Sequence, residues 1–158
     1  MAPSGFGRVL PEAYDYKDEV EKHFSDYNVS RFVDINEKAE DIISFHLNDS
    51  GCRWGIFLKK SDTFIGTCGF HCWNKDKNQA EIGFDLTKKY WGNDYMKEAL
   101  ISIINFGFVK MNLDKIVVIV DEDNNNSKRF IKKLNFVKSG DKINNNCFEY
   151  FINKRWIV

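Results

Sequence analysis

A short segment between a strand and a helix carries the clearest chemical pattern in the sequence. Residues 81–100 read EIGFDLTKKYWGNDYMKEAL, an alternating strand followed by a brief loop and the start of a helix. The first turn of a helix exposes unpaired backbone N–H groups and the positive end of the helix dipole, which together bind anions such as pyrophosphate. Gly92 would let the backbone approach such a ligand closely. One glycine, however, fits an ordinary turn equally well.

A second segment, Cys68-Gly-Phe-His-Cys72, contains residue types that bind metals. In a regular strand, residues 68, 70 and 72 share one face and His71 points to the other. The chain has no second ligand pair, and a zinc site needs three or four converging ligands. Cys72 also lacks an evident His–Asp pair to activate it as a nucleophile. We therefore predict neither a metal site nor a thiol nucleophile here.

The spacing of apolar residues predicts the elements that position these segments. A helix that connects strand 79–86 to strand 115–120 is a crossover, so those two strands are expected to run parallel. Strands 54–58, 63–73 and 79–86 are expected to form an antiparallel meander. The predicted elements are helices over 16–27, 35–48, 94–111 and 126–134, and strands over 54–58, 63–73, 79–86, 115–120, 136–139 and 147–153.

Composition excludes several classes of protein. With 158 residues, 43% hydrophobic, the chain fits one domain over residues 1–158, with residues 1–15 as an altered first strand or a tail. Its 23 basic residues balance 23 acidic ones, which argues against a nucleic-acid partner. No apolar run is long enough to span a membrane, and no export signal is evident, so we expect a cytoplasmic protein with reduced cysteines.

Taken in order, these motifs resemble the GNAT acyltransferase family, in the branch that includes ribosomal-protein N-terminal acetyltransferases. That branch reads A-E-I-G-Y-x-L and then Y-W-G-K-G-Y-M-x-E-A-L, which residues 80–86 and 90–100 match at most positions. The Asn124–Ser127 turn and the Lys133-Leu-Asn-Phe136 segment are also similar. The resemblance implies an α/β GNAT fold, with a mixed, mostly antiparallel sheet flanked by helices on both faces. Strands 79–86 and 115–120 would splay apart in it.

The resemblance implies acetyl-CoA as co-substrate and assigns residues to the coenzyme; from the ligand count above, we expect no metal cofactor. The strand backbone at Phe84, Asp85 and Leu86 would pair with the pantetheine arm and present a donor to the thioester oxygen. Asn124 and Ser127 would flank the coenzyme, with Phe130 packed against it. The pyrophosphate would bind the backbone N–H groups of Trp91, Gly92, Asn93, Asp94, Tyr95 and Met96.

The implied reaction is direct attack of an amine on the acetyl thioester. It needs positioning, a donor that polarises the carbonyl and a path for the ammonium proton. Glu81 is the first candidate base, acting through water, and His71 is the second. Alternatively, neither residue is catalytic: Glu81 forms an ion pair with a nearby lysine, and His71 has a structural role. The acceptor would be a primary amine, either a protein N-terminus or a small antibiotic-like or polyamine-like molecule.

Three positions depart from the family pattern. Asp94 replaces the second glycine of the pyrophosphate loop and brings a carboxylate near the phosphates. Asn135 replaces a glycine, which Asn tolerates because it accepts the left-handed backbone conformation. Phe130 and Ile131 stand where many members have a tyrosine general acid. These departures leave open a second hypothesis, a non-catalytic module that binds acetyl-CoA poorly or not at all. Either protein would be a monomer or a homodimer.

Overall fold

The predicted elements that fall within the described residues form, with boundaries shifted by at most two residues. In the computed structural model, residues 17–26, 52–143 and 146–156 are described, so the helix predicted over 35–48 and the strand or tail over 1–15 lie outside them. No helix in the described ranges has the length and apolar character to cross a membrane. The helices are α1 (Lys17–Ser25), α2 (Tyr95–Val109) and α3 (Asn125–Lys133). The strands are β1 (Cys52–Leu58), β2 (Thr63–Asn74), β3 (Gln79–Leu86), β4 (Lys115–Asp121), β5 (Val137–Lys138) and β6 (Cys147–Asn153).

These strands form one sheet in the order β1-β2-β3-β4-β6-β5. β1, β2 and β3 make the expected antiparallel meander, and β4 pairs with β6 in the antiparallel sense. β3 and β4 are parallel, as required by the crossover through α2. The mixed, mostly antiparallel sheet implied by the resemblance is confirmed.

β3 and β4 separate soon after they begin to pair, as expected. Their partners run from Gln79↔Lys115 to Glu81↔Val117, whereas β4 continues beside β6 as far as Asp121. The Thr87 N–H donates to the Ile65 carbonyl at 2.8 Å on the β2 side. Because bonded pairs alternate along an antiparallel ladder, the peptide groups of Phe84 and Leu86 point away from β2, into the gap that β4 has left.

The two faces of the meander differ in polarity. One face buries Trp54, Phe70 and Ile82 beneath α2, and Trp54 meets the Phe106 ring edge-on with centroids 5.2 Å apart. The opposite face carries Arg53 and Asp85, both buried, and α1 adds a histidine to it. Strand alternation therefore separates an apolar core from a buried polar cluster next to the gap.

Candidate active site

The loop between β3 and α2 is held in shape by its own side chains. The Trp91 indole N–H donates to the Leu86 carbonyl at 2.7 Å, which ties the loop to the end of β3. The Asn93 amide donates to the carbonyls of Tyr90, at 3.3 Å, and Trp91, at 3.1 Å. Gly92 (φ 77°) and Asp94 (φ 59°) both adopt left-handed backbone conformations. The loop is thus preorganised, and Asp94 accepts the backbone geometry for which the family uses glycine.

α2 begins with amides that have no acceptor within the helix. Its first internal hydrogen bond runs from the Glu98 N–H to the Asp94 carbonyl, at 2.9 Å. The amides from Asp94 to Lys97, including those of Tyr95 and the buried Met96, therefore lack intrahelical partners. The exposed Asp94 side chain makes no capping bond to them. This turn can bind an anion through backbone N–H groups beside the β3–β4 gap.

α3 contacts β3 where that strand has no β4 neighbour. The rings of Phe130 and Phe84 meet edge-on, with centroids 5.6 Å apart. The start of α3 is fixed by Asn124, whose side-chain oxygen accepts the Ser127 N–H at 3.1 Å. Asn124, Ser127 and Phe130 thus lie on one short element against Phe84. Within the described residues, the Asn124 side chain caps α3 and the Phe130 ring packs against Phe84.

The two candidate bases form a pair. His71 and Glu81 are register partners on β2 and β3, and Nε2 of His71 lies 3.0 Å from Oε1 of Glu81. The partner of Glu81 is therefore a histidine and not the lysine considered above. Gly83, between Glu81 and Asp85 on β3, leaves room for the His71 ring and for Arg53. A Cβ at this position would lie 3.0 Å from His71 Cε1 and 2.7 Å from Arg53 Nη1. Both side chains are partly exposed, so the pair can exchange protons with water.

The position of Glu81 determines how it could serve an acyl transfer. Glu81 sits where the β3–β4 pairing ends, three residues before Phe84. At about 3.3 Å per strand residue, its backbone is roughly 10 Å from the Phe84 peptide. A proton released beside Phe84 would have to reach Glu81 through water.

A buried polar cluster holds β3 from behind. Oδ1 of Asp85 faces His23 Nε2 at 2.5 Å and the Thr67 N–H at 3.1 Å. Oδ2 accepts from Arg53 Nη2 at 2.6 Å and from the Thr67 hydroxyl at 2.7 Å. His23 Nδ1 lies 2.9 Å from the Thr87 hydroxyl. Because the carboxylate only accepts, Nε2 of His23 carries a proton. The cluster ties α1, β1 and β2 to the part of β3 that β4 does not support.

Charge compensation keeps Asp85 ionised despite its burial. Burial raises the pKa of this carboxyl, but the Arg53 guanidinium and the hydrogen bonds from His23 and Thr67 outweigh it, so the pKa lies well below its usual range. Sequence reasoning predicted the Asp85 backbone as a coenzyme contact and missed His23, Arg53 and Thr67. An arginine within the apolar run of β1 was an available signal, because a buried arginine needs a carboxylate partner.

The structure corrects the prediction for Cys72. The β2–β3 register shifts between His71 and Asn74, and Cys72 has a φ of 50°. This bulge breaks the strand alternation, so Cys72 lies on the side of His71 and not opposite to it. The ligand atoms of His71, Cys72 and Glu81 lie within 4.8 Å of one another. Cys68 stays in the core, where burial raises the pKa of its thiol far above the ordinary range.

A basic depression of about 580 Å³ opens beside α3. Its lining contains none of the residues of the β3–β4 gap or of the α2 loop, so we do not assign the reactive end of a coenzyme to it. The lining residues are Asn125, Lys128, Arg129, Lys132, Lys138, Phe148 and Tyr150.

Comparison with known proteins decides the family. Residues 9–137 match the family model for the acetyltransferase (GNAT) domain. The chain belongs to the GNAT acetyltransferase family. One relative of this GNAT chain is an uncharacterized N-acetyltransferase, p20, of Bacillus licheniformis, 34% identical over 117 residues. That match covers 72% of this chain and 65% of the relative, so the chain spans less than two thirds of the relative's length.

Two solved structures with this fold differ in the acceptor that their names give. One is a Vibrio cholerae protein named as a candidate ribosomal-protein-serine acetyltransferase, with a TM-score of 0.75 and 16% identity, covering 97% of this chain and 99% of that one. The other is a mutant of the spermidine N-acetyltransferase SpeG from Vibrio cholerae, with a TM-score of 0.65 and 16% identity, covering 73% of each chain. At these identities the two likenesses establish the GNAT fold alone.

Proposed function

We propose that this GNAT protein transfers an acetyl group from acetyl-CoA to a primary amine. The observation that carries the proposal is the free edge of β3 at residues 84–86, which opens beside the unpaired amides of α2. An extended pantetheine arm would pair with that edge as a strand does, and the pyrophosphate would sit on the loop from Trp91 to Met96. The proposed flanking residues are Asn124, Ser127 and Phe130.

Strand alternation refines which β3 groups serve the coenzyme. The peptide groups of Phe84 and Leu86 face the gap. The Asp85 carboxylate, by contrast, accepts its hydrogen bonds within the buried cluster. The Leu86 carbonyl already accepts from Trp91. We therefore assign the N–H groups of Phe84 and Leu86 to the thioester oxygen and the pantetheine arm, and give Asp85 a positioning role.

The chemistry follows from these groups. The amine nitrogen attacks the thioester carbon, and a β3 N–H donates to the oxygen that becomes negatively charged. The ammonium proton passes through water to the Glu81–His71 pair, with Glu81 as the base. The C–S bond then breaks, and the thiolate takes its proton from solvent, because Phe130 and Ile131 offer none.

For the acceptor, we propose a protein N-terminal amine first and a small polyamine-like amine second. The names of the two structural neighbours supply one acceptor each, and both acceptors carry the primary amine that the proposed reaction needs. An assay with short peptides bearing free N-termini, alongside spermidine, separates them. Matched peptides with acetylated N-termini control for lysine side chains as acceptors.

Acetyl-CoA is expected to raise the Tm of the protein. A ligand at about 100 times its Kd adds ~2.7 kcal/mol to the free energy of unfolding, which for a domain of this size is a Tm shift of roughly 5–10 °C. Thermal unfolding with acetyl-CoA, and with ATP as a phosphate control, measures the shift. An absent shift at millimolar acetyl-CoA would contradict the proposed function and favour the non-catalytic module that binds acetyl-CoA poorly or not at all.

Removing the charge of Asp94 is expected to tighten acetyl-CoA binding by about 3- to 10-fold, because an exposed like charge near phosphate costs about 1 kcal/mol. Asp94→Asn keeps the size of the side chain and its tolerance of a left-handed backbone. Asp62→Asn is the matched control, since Asp62 is also exposed with a φ of 52° but lies in the β1–β2 turn. Titration calorimetry at low and high salt measures the effect, which should shrink with salt. Unchanged affinity would place the phosphates away from residue 94.

A further inference from the structure

We propose that His71, Cys72 and Glu81 form a binding site for Zn²⁺, and that bound Zn²⁺ inhibits acetyl transfer by occupying the base. The proposed Zn²⁺ binding rests only on the geometry of these three side chains. The inhibition part rests on the proposed function, in which Glu81 accepts the proton. The two parts are tested by separate measurements below.

The geometry is close to that of a zinc site. The ligand atoms of the three residues lie within 4.8 Å of one another, and His71 Nε2 is 3.0 Å from Glu81 Oε1. Zinc bonds of about 2.0–2.3 Å place tetrahedral ligand atoms about 3.3–3.8 Å apart, so small side-chain rotations suffice. A thiolate, an imidazole and a carboxylate together favour Zn²⁺ over Mg²⁺ or Ca²⁺, which prefer oxygen ligands.

The β2 bulge creates this convergence. In a regular strand Cys72 would point away from His71, but its left-handed backbone, with a φ of 50°, reverses it. Such a conformation is strained for a non-glycine residue, so the surrounding fold imposes it. Cys72 is exposed and the other two are half-buried, so an ion from solvent can reach all three. A water molecule would complete the fourth position.

The surroundings of His71 predict a reversible site. Its Nδ1 is buried and has no hydrogen-bond partner within the described residues, so Nε2 is the nitrogen available to an ion. Zinc on Nε2 leaves the ring proton on Nδ1. A metal-bound histidine without an acceptor for that proton binds about 10- to 100-fold more weakly than a supported one. We therefore expect binding that a chelator reverses.

Cobalt(II) tests the binding part, because a thiolate ligand gives Co²⁺ an intense near-ultraviolet charge-transfer absorption. We expect this band in the wild-type protein, its displacement by Zn²⁺, and its loss in Cys72→Ser. Cys147→Ser is the matched control, since Cys147 is half-buried on β6, outside the cluster, and this variant should keep the band. His71→Gln should weaken Co²⁺ binding at least 10-fold. A wild-type protein without the band at millimolar Co²⁺, or a band that survives in Cys72→Ser, overturns the site.

Acetyl transfer tests the inhibition part, in buffer without thiols. Micromolar Zn²⁺ should inhibit the wild-type enzyme, EDTA should restore its activity, and Cys72→Ser should need at least 10-fold more Zn²⁺ while keeping its uninhibited rate. Equal inhibition of wild type and Cys72→Ser, or a Zn²⁺-bound enzyme that works at full rate, overturns the inhibition. If the cobalt band appears but no acetyl transfer is found with any amine, the metal site stands and the proposed function fails.

Discussion

Replacing Glu81 with Gln is expected to lower kcat for acetyl transfer by about 10²- to 10⁴-fold, the usual contribution of a general base. Gln keeps the volume of the side chain and can still hydrogen-bond to His71, so the fold should persist. The KM for acetyl-CoA should stay within about twofold, because Glu81 lies roughly 10 Å along β3 from the Phe84 peptide. Steady-state kinetics over a range of pH measures both parameters.

The pH profile and two further variants make this test specific. If Glu81 is the base, the acidic limb of the kcat/KM profile should flatten in Glu81→Gln. Glu19→Gln, on the exposed side of α1, is the matched control and should leave the kinetics unchanged. His71→Gln separates the two members of the pair: a loss as large as that of Glu81→Gln would make the pair the base. A kcat for Glu81→Gln within twofold of wild type contradicts the role.

Replacing Asp85 with Asn is expected to reduce the free energy of unfolding by about 3–5 kcal/mol, the cost of breaking a buried ion pair. Arg53 would lose its charged partner at 2.6 Å, and the new amide would direct N–H groups at donors that now point to the carboxylate. In a domain of this size the loss corresponds to roughly 6–20 °C in Tm. Urea denaturation measures it, and Asp123→Asn, on an exposed turn, is the control.

The Asp85 contribution should depend on pH in one direction. The folded-state pKa of Asp85 is depressed, so its contribution is fully present above the unfolded pKa of about 3.9 and is lost as the pH falls toward the folded value. The difference in stability between wild type and Asp85→Asn should therefore be larger at about pH 5 than below about pH 4, where it shrinks. A difference that persists undiminished at lower pH contradicts this account.

If Asp85→Asn fails to fold, Thr67→Ala keeps the account of the cluster testable. This variant removes the hydroxyl that links Arg53 Nε, at 2.8 Å, to Asp85 Oδ2, at 2.7 Å, but leaves the ion pair in place. It should cost about 1–3 kcal/mol, because it leaves a buried donor without its partner. A stability equal to wild type would show that the cluster does not stabilise β3.

Local spacing in the sequence was enough to predict the framework of the site. The alternation over 79–86 matches β3 to the residue, and the connection through α2 required parallel strands. The loop before α2 and its glycine could be read from the residues alone, whereas the bounds 91–96 came from the family resemblance. In the structure Gly92 and Asp94 both have a positive φ. The separation of β3 from β4 came from the family resemblance, since nothing in either strand alone shows where their pairing ends.

The partners of the functional side chains depend on contacts between distant residues. Asp85 meets His23, 62 residues away, and Arg53, 32 residues away. Periodicity assigned Asp85 to the polar side of β3 but could not show which residues lie opposite, because those belong to other elements. The same limit applies to Cys72: a one-residue bulge reverses the side of the strand on which every later side chain lies, and the sequence carries no local mark of it. The sequence by itself thus determined the elements within the described residues, the parallel crossover and the position of the loop proposed to bind pyrophosphate. Tertiary structure decided that Glu81 pairs with His71, that Asp85 anchors β3 and that Cys72 lies beside the Glu81–His71 pair. Packing sets the strand register, and the register decides which side chains meet.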